Sequence, residues 1–321
     1  MTALVPRLVR RVRRLRPRGA VLCYHRINGP RPDPAQLDTS AAHFAEHLAV
    51  LRAHAVPLSL LEFERLRRAG ALPERAVAVT FDDGYADNLH TALPLLEEHQ
   101  VPAEVFVTTA GPAMGDEFWW DGVARACVQA ERPAELTLTA DGETRVWKAE
   151  VTRGDADAMY GAIAPWLRPK SAEAQRGAAR AMLAWAGLDT TTRDSHRPLT
   201  VDELQRLAAS PLIGIGSHTV THPMLGRLSR AAQVTECVES RETLRRWLGR
   251  APVTLAYPFG DGDAVTPEVE RTARGAGYTV SLTTVAQAAW RGNRAQAVPR
   301  IAMQDWDGAE FARRLALWFN E

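Results

Sequence analysis

Six short apolar runs, each closed by turn residues, alternate with amphipathic stretches along this chain. They are Ala20–Tyr24, Ala76–Phe81, Ala103–Thr108, Leu212–Gly216, Val253–Tyr257 and Tyr278–Thr283. A continuously apolar run of this length between turn signals reads as a strand covered on both faces, the situation in parallel sheets. Helical spacing marks 41–53, 60–68, 86–99, 201–209, 230–248, 267–276 and 307–319, and Pro94 is predicted to kink the third of these. Strand-then-helix repetition implies an α/β fold with a parallel sheet or barrel. At 321 residues, 46% hydrophobic and 24% charged, the chain can fill one such barrel, and a disordered or collagen-like chain is excluded. Cys23, Cys127 and Cys237 are odd in number and widely spaced. They predict buried free thiols rather than a disulfide scaffold.

Residues 111–199 interrupt the alternation with an aromatic cluster (Phe118, Trp119, Trp120), a hairpin signal at Ala140-Asp141-Gly142 and a helical stretch near 172–186. This reads as an insertion in one βα connection of a single domain over 20–321. Loops after barrel strands build the active face, so the insertion is expected to wall a cleft. Trp119 and Trp120 are then either core packing or a flat ligand contact. Residues 1–18 carry seven arginines and no acid, and removing those seven from the formal net charge of +1 leaves −6 for the rest. Val5, Leu8, Val9, Val12 and Leu15 recur between them at helical spacing. The segment is either a solvated tail or a peripheral anchor on an anionic membrane face. Nucleic acid is disfavoured as a partner, because the body of the chain is acidic. Apolar stretches fall short of the roughly 18 residues that span a bilayer. Arginines also interrupt the N-terminus before a signal-peptide core forms. A cytoplasmic protein is expected, peripheral at the inner membrane face if the anchor reading holds.

Four of the strand ends carry chemistry. Thr80-Phe81-Asp82-Asp83-Gly84 places adjacent carboxylates where burial is costly unless they are paired or bind a cation; the bland alternative is acidic capping of the next helix. Ser217-His218-Thr219-Val220-Thr221-His222 offers two imidazoles at a spacing that can share one metal. His43 and His47 share that spacing but sit on an amphipathic helix without an acid nearby, and they read as structural. Ala256-Tyr257-Pro258-Phe259-Gly260 can turn a backbone N–H toward a cleft. In Leu22-Cys23-Tyr24-His25-Arg26-Ile27, the histidine is a candidate general acid.

Taken together, the T-F-D-D-G and S-H-T-x-x-H elements and the two further strand ends resemble the polysaccharide deacetylases, a metal-dependent carbohydrate esterase family, over about 20–110 and 200–305. The resemblance implies a distorted (β/α) barrel that hydrolyses the N-acetyl group of an amino sugar in a glycan or glycan precursor. It implies Asp82 as catalytic base and Asp83, His218 and His222 as metal ligands. No histidine follows His222 to supply the usual C-terminal acid motif. Leu22-x-x-His25 instead resembles the circularly permuted branch of poly-N-acetylglucosamine deacetylases, which implies His25 as the acid. Ala256 stands where many relatives carry an arginine that orients the base, and Arg300, at another strand end, is the available substitute. Asp305-Trp306 is similar to the element that braces the acid in the family.

The resemblance further implies that the Phe259 N–H stabilises the oxyanion and that Tyr257 and Phe259 line the acetyl pocket. Outside the resemblance, the insertion's Trp119 and Trp120 offer flat apolar surface for a sugar face, and Asp121 offers an acceptor for one of its hydroxyls. Zinc suits two imidazoles and a carboxylate first; cobalt, nickel or iron would also be accepted. Two alternatives stay open. One is a deacylase of a small or lipid-linked sugar, which the missing leader pattern favours over action on a finished polymer. The other is a catalytically silent glycan-binding module, which the complete ligand set disfavours.

Overall fold

The computed structural model describes residues 18–29, 32–128, 133 and 135–320. The basic segment proposed as a lipid anchor lies outside these residues, apart from Arg18, which opens the first strand. No described helix is long and apolar enough to cross a membrane.

The strands follow in chain order: β1 Arg18–Tyr24, β2 Val56–Pro57, β3 Ala76–Phe81, β4 Ala103–Val107, β5 Leu136–Ala140, β6 Glu143–Trp147, β7 Ile213–Ser217, β8 Thr254–Ala256, β9 Val280–Leu282, β10 Ala289–Trp290 and β11 Ile301–Ala302. The main sheet runs β10-β1-β3-β4-β7-β8-β9, with β11 also beside β1 and β2 beside β3. All its pairings are parallel except β1 with β10. The sheet curls until its two sides meet. Val298 bridges Leu282 of β9, and three residues later Ile301 pairs with Leu22 of β1. The result is a distorted (β/α) barrel.

Every residue of β3 is buried. Its alternate residues serve two cores, which is why the run is apolar throughout. Val77, Val79 and Phe81 pack outward with Leu22, Tyr24, Phe44 and Leu48, while Ala76 and Ala78 join Val21, Phe106, Ala256 and Leu282 in another cluster. Each large apolar side chain so buried contributes roughly 1.5–3 kcal/mol. The intervening helices Ala41–His54, Leu60–Ala69 and Arg230–Leu248 start where Ser40, Ser59 and Ser229 accept a backbone N–H, a cap worth about 1 kcal/mol each. Pro94 lies in the first turn of helix Leu93–His99, directly after a π-helical turn at Asn88–Ala92. A change of helix type therefore stands where a kink was expected.

Between β4 and β7 the described residues form six α-helices, a 3-10 turn and the antiparallel β5–β6 pair. Asp141 (φ 50°) and Gly142 (φ 78°) form the two-residue connection of that hairpin. This segment has an apolar cluster of its own, including Trp119, Val123, Leu136, Trp147, Ile163 and Met182. Helix Ala156–Leu167 was not expected from the sequence.

Candidate active site

The site is assembled from loops at the C-terminal ends of β1, β3, β7 and β8. Asp83 has φ 72° and Gly84 φ 79°, a left-handed turn directly after β3. Both carboxylates come near His218, whose Nε2 lies 3.8 Å from Asp82 Oδ2 and 3.5 Å from Asp83 Oδ1. A side chain at position 84 would also sit 3.2 Å from Val107, so glycine is needed on both counts. Thr219, His222 and Phe259 likewise have positive φ, at 68°, 60° and 62°. Half of the eight non-glycine residues with positive φ among the described residues thus lie in these loops. Each costs about 1–3 kcal/mol and persists only where surrounding bonds impose it. One such imposition is visible. The Glu236 carboxylate accepts the N–H groups of Val220 (2.8 Å) and Thr221 (3.0 Å) and the Thr221 hydroxyl (2.7 Å), pinning the loop between the two histidines.

Asp82 is clamped. Arg300 donates from both terminal nitrogens to its two oxygens at 2.7 Å each, and also bonds the Thr283 carbonyl and the Thr80 hydroxyl. Arg300 is fully buried, in the segment that closes the barrel. Burial by itself would raise the Asp82 carboxyl, but the Arg300 guanidinium and His218 outweigh it, and the group is held well below the ordinary carboxylate range. Asp82 is therefore ionised at neutral pH. Cys23 donates its thiol to Asp82 Oδ2 at 3.5 Å, and burial pushes that thiol up. Cys23, Cys127 and Cys237 are all buried thiols outside any disulfide, as their spacing implied.

Asp83 is different. Its Oδ1 lies 3.5 Å from Nε2 of both His218 and His222. His218 Nδ1 donates to the Ala256 carbonyl (2.8 Å), which leaves its Nε2 as a lone pair facing the carboxylate. Burial, then its neighbour Asp82, pushes the Asp83 carboxyl up, and burial pushes both imidazoles down. Asp83 Oδ1 and His222 Nδ1 are buried with no hydrogen-bond partner among the described residues. Acceptors converging in this way are unfavourable unless Asp83 holds a proton or a cation lies between them. Their ligand atoms lie within 4.8 Å of one another, so the residues fit a divalent ion.

His25 follows β1 on the other side of Asp82, and its backbone carbonyl accepts from Asn88 at 2.9 Å. Burial brings its imidazole down to about 4, opposed by Asp82 and reinforced by Arg300. Asp305 does not brace it. That carboxylate bonds His43 Nδ1 (2.7 Å) and the Ser40 amide (2.8 Å). His43 thus has the acid that was not expected near it. His47, with Tyr24 on Nδ1 and the Trp306 carbonyl on Nε2, is a satisfied core residue.

His25, Asp82, Asp83, His218, His222 and Phe259 share one cleft of about 390 Å³. Trp119 and Trp120 wall it, together with Tyr160 and Arg168 from the unexpected helix and the turn after it. Phe259 packs its ring 4.8 Å from that of His222 and has the Arg168 guanidinium over it at 4.3 Å. Tyr257 does not reach the cleft. It is fully buried in a separate cluster with Leu225, Cys237 and Tyr278, its hydroxyl donating to the Gln296 carbonyl at 3.0 Å. Nor does Asp121, which is 1% exposed and engaged by Arg26 and Tyr85. No local signal marked Tyr160, Arg168 or Glu236, since each comes from a helix, or the turn ending one, whose pattern reports only its own packing.

A curled, mostly parallel sheet with paired carboxylates and two imidazoles at the C-terminal ends of its strands is the scaffold of the deacetylase type. The chain belongs to the polysaccharide deacetylase family, whose sequence profile matches residues 69–131 and 179–281. Solved structures share the fold at low identity. The PplD deacetylase of Streptococcus pyogenes, in complex with acetate, aligns with a TM-score of 0.62 at 18% identity, covering 94% of this chain and 99% of that one. IcaB from Ammonifex degensii aligns at 0.58 and 20% identity (95% and 97% covered). The BpsB deacetylase domain from Bordetella bronchiseptica aligns at 0.55 and 17% identity (90% and 97% covered). No curated protein sequence matches significantly.

Proposed function

We propose that the protein is a metal-dependent N-deacetylase of an N-acetylated amino sugar, in a glycan or glycan precursor. The observation that carries this is the juxtaposition of Asp82, ionised by its Arg300 clamp, with an Asp83–His218–His222 cluster whose lone pairs converge without a donor. Asp83, His218 and His222 would hold the ion, with zinc the first expectation and cobalt, nickel or iron also suited to these donors. When bound, such an ion acts as a Lewis acid toward the amide oxygen and lowers the pKa of water. Asp82 takes the proton of the attacking water, and Arg300 keeps its carboxylate ionised and aimed. The Phe259 N–H, presented by the left-handed backbone at that residue, donates to the oxygen on which charge develops. His25 is neutral at rest. Negative charge growing beside it raises its proton affinity, so it takes a proton from solvent and passes it to the amine nitrogen as the C–N bond breaks, while Asp82 returns the water's proton to solvent.

The substrate is a short or terminally engaged unit rather than the middle of a long polymer. In support, the insertion's Trp119, Trp120, Tyr160 and Arg168 close around a cleft of about 390 Å³. A small or lipid-linked amino sugar fits that reading too. Acetate release from free, lipid-linked and polymeric N-acetylhexosamines, with and without a chelator, tests it. Chelator-sensitive release, fastest on the shorter substrates, is expected. Release that survives complete metal removal, or no release from any N-acetylhexosamine, overturns the proposal.

The two tryptophans separate. Trp120 is committed to the protein, its indole N–H donating to the Tyr85 hydroxyl (2.7 Å) and its ring lying against that of His222. Trp119 also lines the cleft, and its indole N–H makes no hydrogen bond among the described residues, so no such bond commits its ring to the protein. Trp119→Ala is expected to raise KM about 10-fold, equivalent to ~1.4 kcal/mol, with kcat little changed, because stacking stabilises ground and transition states alike. Unchanged KM on the preferred substrate, in a variant that melts like the wild type, would make Trp119 packing only.

A further inference from the structure

Behind the cleft, a single carboxylate ties together three of the loops that build it. Arg26, the residue after His25, is 2% exposed. Its guanidinium bonds Asp33 (3.2 Å), Asp38 (2.8 Å) and Oδ1 of Asp121. Tyr85, two residues after Asp83, donates its hydroxyl to the other Asp121 oxygen at 2.7 Å. That same hydroxyl accepts the indole N–H of Trp120 at 2.7 Å. The Trp120 ring is then held with its centroid 4.5 Å from that of His222, and Phe118 stacks on its other side at 4.7 Å. The chain of contacts therefore runs from the His25 strand end, through the insertion, past the Asp82–Asp83 loop, to an imidazole of the Asp/His cluster.

We infer that Asp121 and Tyr85 are positioning residues, and that through them the insertion fixes the orientation of His222 and of the strand end carrying His25. The inference rests on the reading of His222 as a metal ligand. Three features of the arrangement argue for positioning rather than simple filling. Asp121 accepts one strong bond on each oxygen, so the two donors define its rotation completely. The Tyr85 hydroxyl donates to one partner and accepts from another, so it transmits the placement of Asp121 to Trp120. His222 Nδ1 makes no hydrogen bond among the described residues, and its ring is bounded instead by Trp120 at 4.5 Å and Phe259 at 4.8 Å. Histidine ligands are ordinarily oriented by a hydrogen bond on the second ring nitrogen. Here aromatic packing takes that place, and the packing is only as fixed as the Tyr85 bond that holds Trp120.

The test is a double-mutant cycle on the full chain with Tyr85→Phe and Trp120→Phe, alongside Asp121→Asn and His222→Ala. Zinc affinity is read by competition with a chromogenic chelator, and kcat, KM and Tm are measured on the same preparations. Tyr85→Phe is expected to weaken zinc binding about 10-fold, within the range for partners of ligating histidines. It should lower kcat on zinc-saturated enzyme with KM unchanged. The double variant should lose little more than either single one, since both remove the same link. Asp121→Asn should act in the same direction. If Tyr85→Phe and Asp121→Asn lower Tm while zinc affinity and kcat hold, or if the two losses add, the network is structural and the inference is overturned. His222→Ala separates the two levels. No loss of zinc in that variant brings down the ligand reading and this inference with it, whereas loss there with none in Tyr85→Phe brings down the positioning role alone.

Discussion

Asp82→Asn is expected to keep its metal and lose turnover. The substitution retains an acceptor for Arg300 but removes the charge that makes Asp82 a base, so kcat should fall by about 10²–10⁴-fold, the usual contribution of a positioned proton acceptor. A second effect is separable. Arg300 is fully buried and its charge is matched chiefly by Asp82. Breaking a buried pair by neutralising one partner costs about 3–5 kcal/mol, so Tm should drop as well. Arg300→Lys keeps the charge but cannot span both carboxylate oxygens at 2.7 Å. It should lower kcat less than Asp82→Asn while zinc content stays at the wild-type level. Metal analysis, acetate release and melting on the same preparations check all three. Zinc loss in Asp82→Asn equal to that in a ligand variant would reassign Asp82 as a ligand.

Much of the barrel is legible because parallel strands must be apolar on both faces, and that leaves a local mark. β3 coincides with the run read from the sequence, and the helices at 41–54 and 230–248 begin at their expected residues. What escaped is what makes few local demands. β2, β10 and β11 have two residues each, too few for any alternation, and take their form from the strands they pair with. Helix Ala156–Leu167 contains Pro165 and has its apolar residues widely spread, so its helical period is weak.

The same division holds at the candidate site. Asp82 with Asp83, and His218 with His222, stand in two short segments whose spacing makes each pair legible, and β4, paired with both β3 and β7, brings the segments together. Arg300 meets Asp82 across 218 residues, and only its place at a strand end hinted at the meeting. Tyr257 and Asp121 failed for an opposite reason. The left-handed backbone at Phe259 turns that residue, rather than Tyr257, to the cleft. Asp121 reads as an acid available to a sugar hydroxyl only while Arg26, 95 residues earlier, is left out of account. A buried charge is legible in sequence only together with its counter-charge, and topology alone decides which one that is.

Removal of any one of Asp83, His218 and His222 should abolish tight metal binding, and the consequence should be readable without substrate. Unliganded, the three groups crowd acceptors together at 3.5 Å, an arrangement that burial makes costly. Adding zinc to the wild type should therefore raise its Tm. At a free concentration 100 times Kd, linkage gives about 2.7 kcal/mol of added stability, a shift of several degrees for a domain of this class. Asp83→Asn, His218→Ala and His222→Ala should each weaken zinc binding by more than about 100-fold, beyond what loss of an outer partner does, and should show almost no shift at the same zinc concentration. The metal-free Asp83→Asn form should melt no lower than the metal-free wild type, because its amide N–H₂ supplies a donor where lone pairs crowd. Metal-free His218→Ala and His222→Ala should melt lower, since each leaves a cavity and the first also leaves the Ala256 carbonyl without its donor. Asp83→Asn is the most telling of the three. Burial and the neighbouring Asp82 oppose its charge, so only a cation makes the ionised carboxylate worthwhile in that place. A wild type whose Tm does not respond to zinc, cobalt, nickel or iron, or an Asp83→Asn variant that still responds fully, would remove the metal from the mechanism.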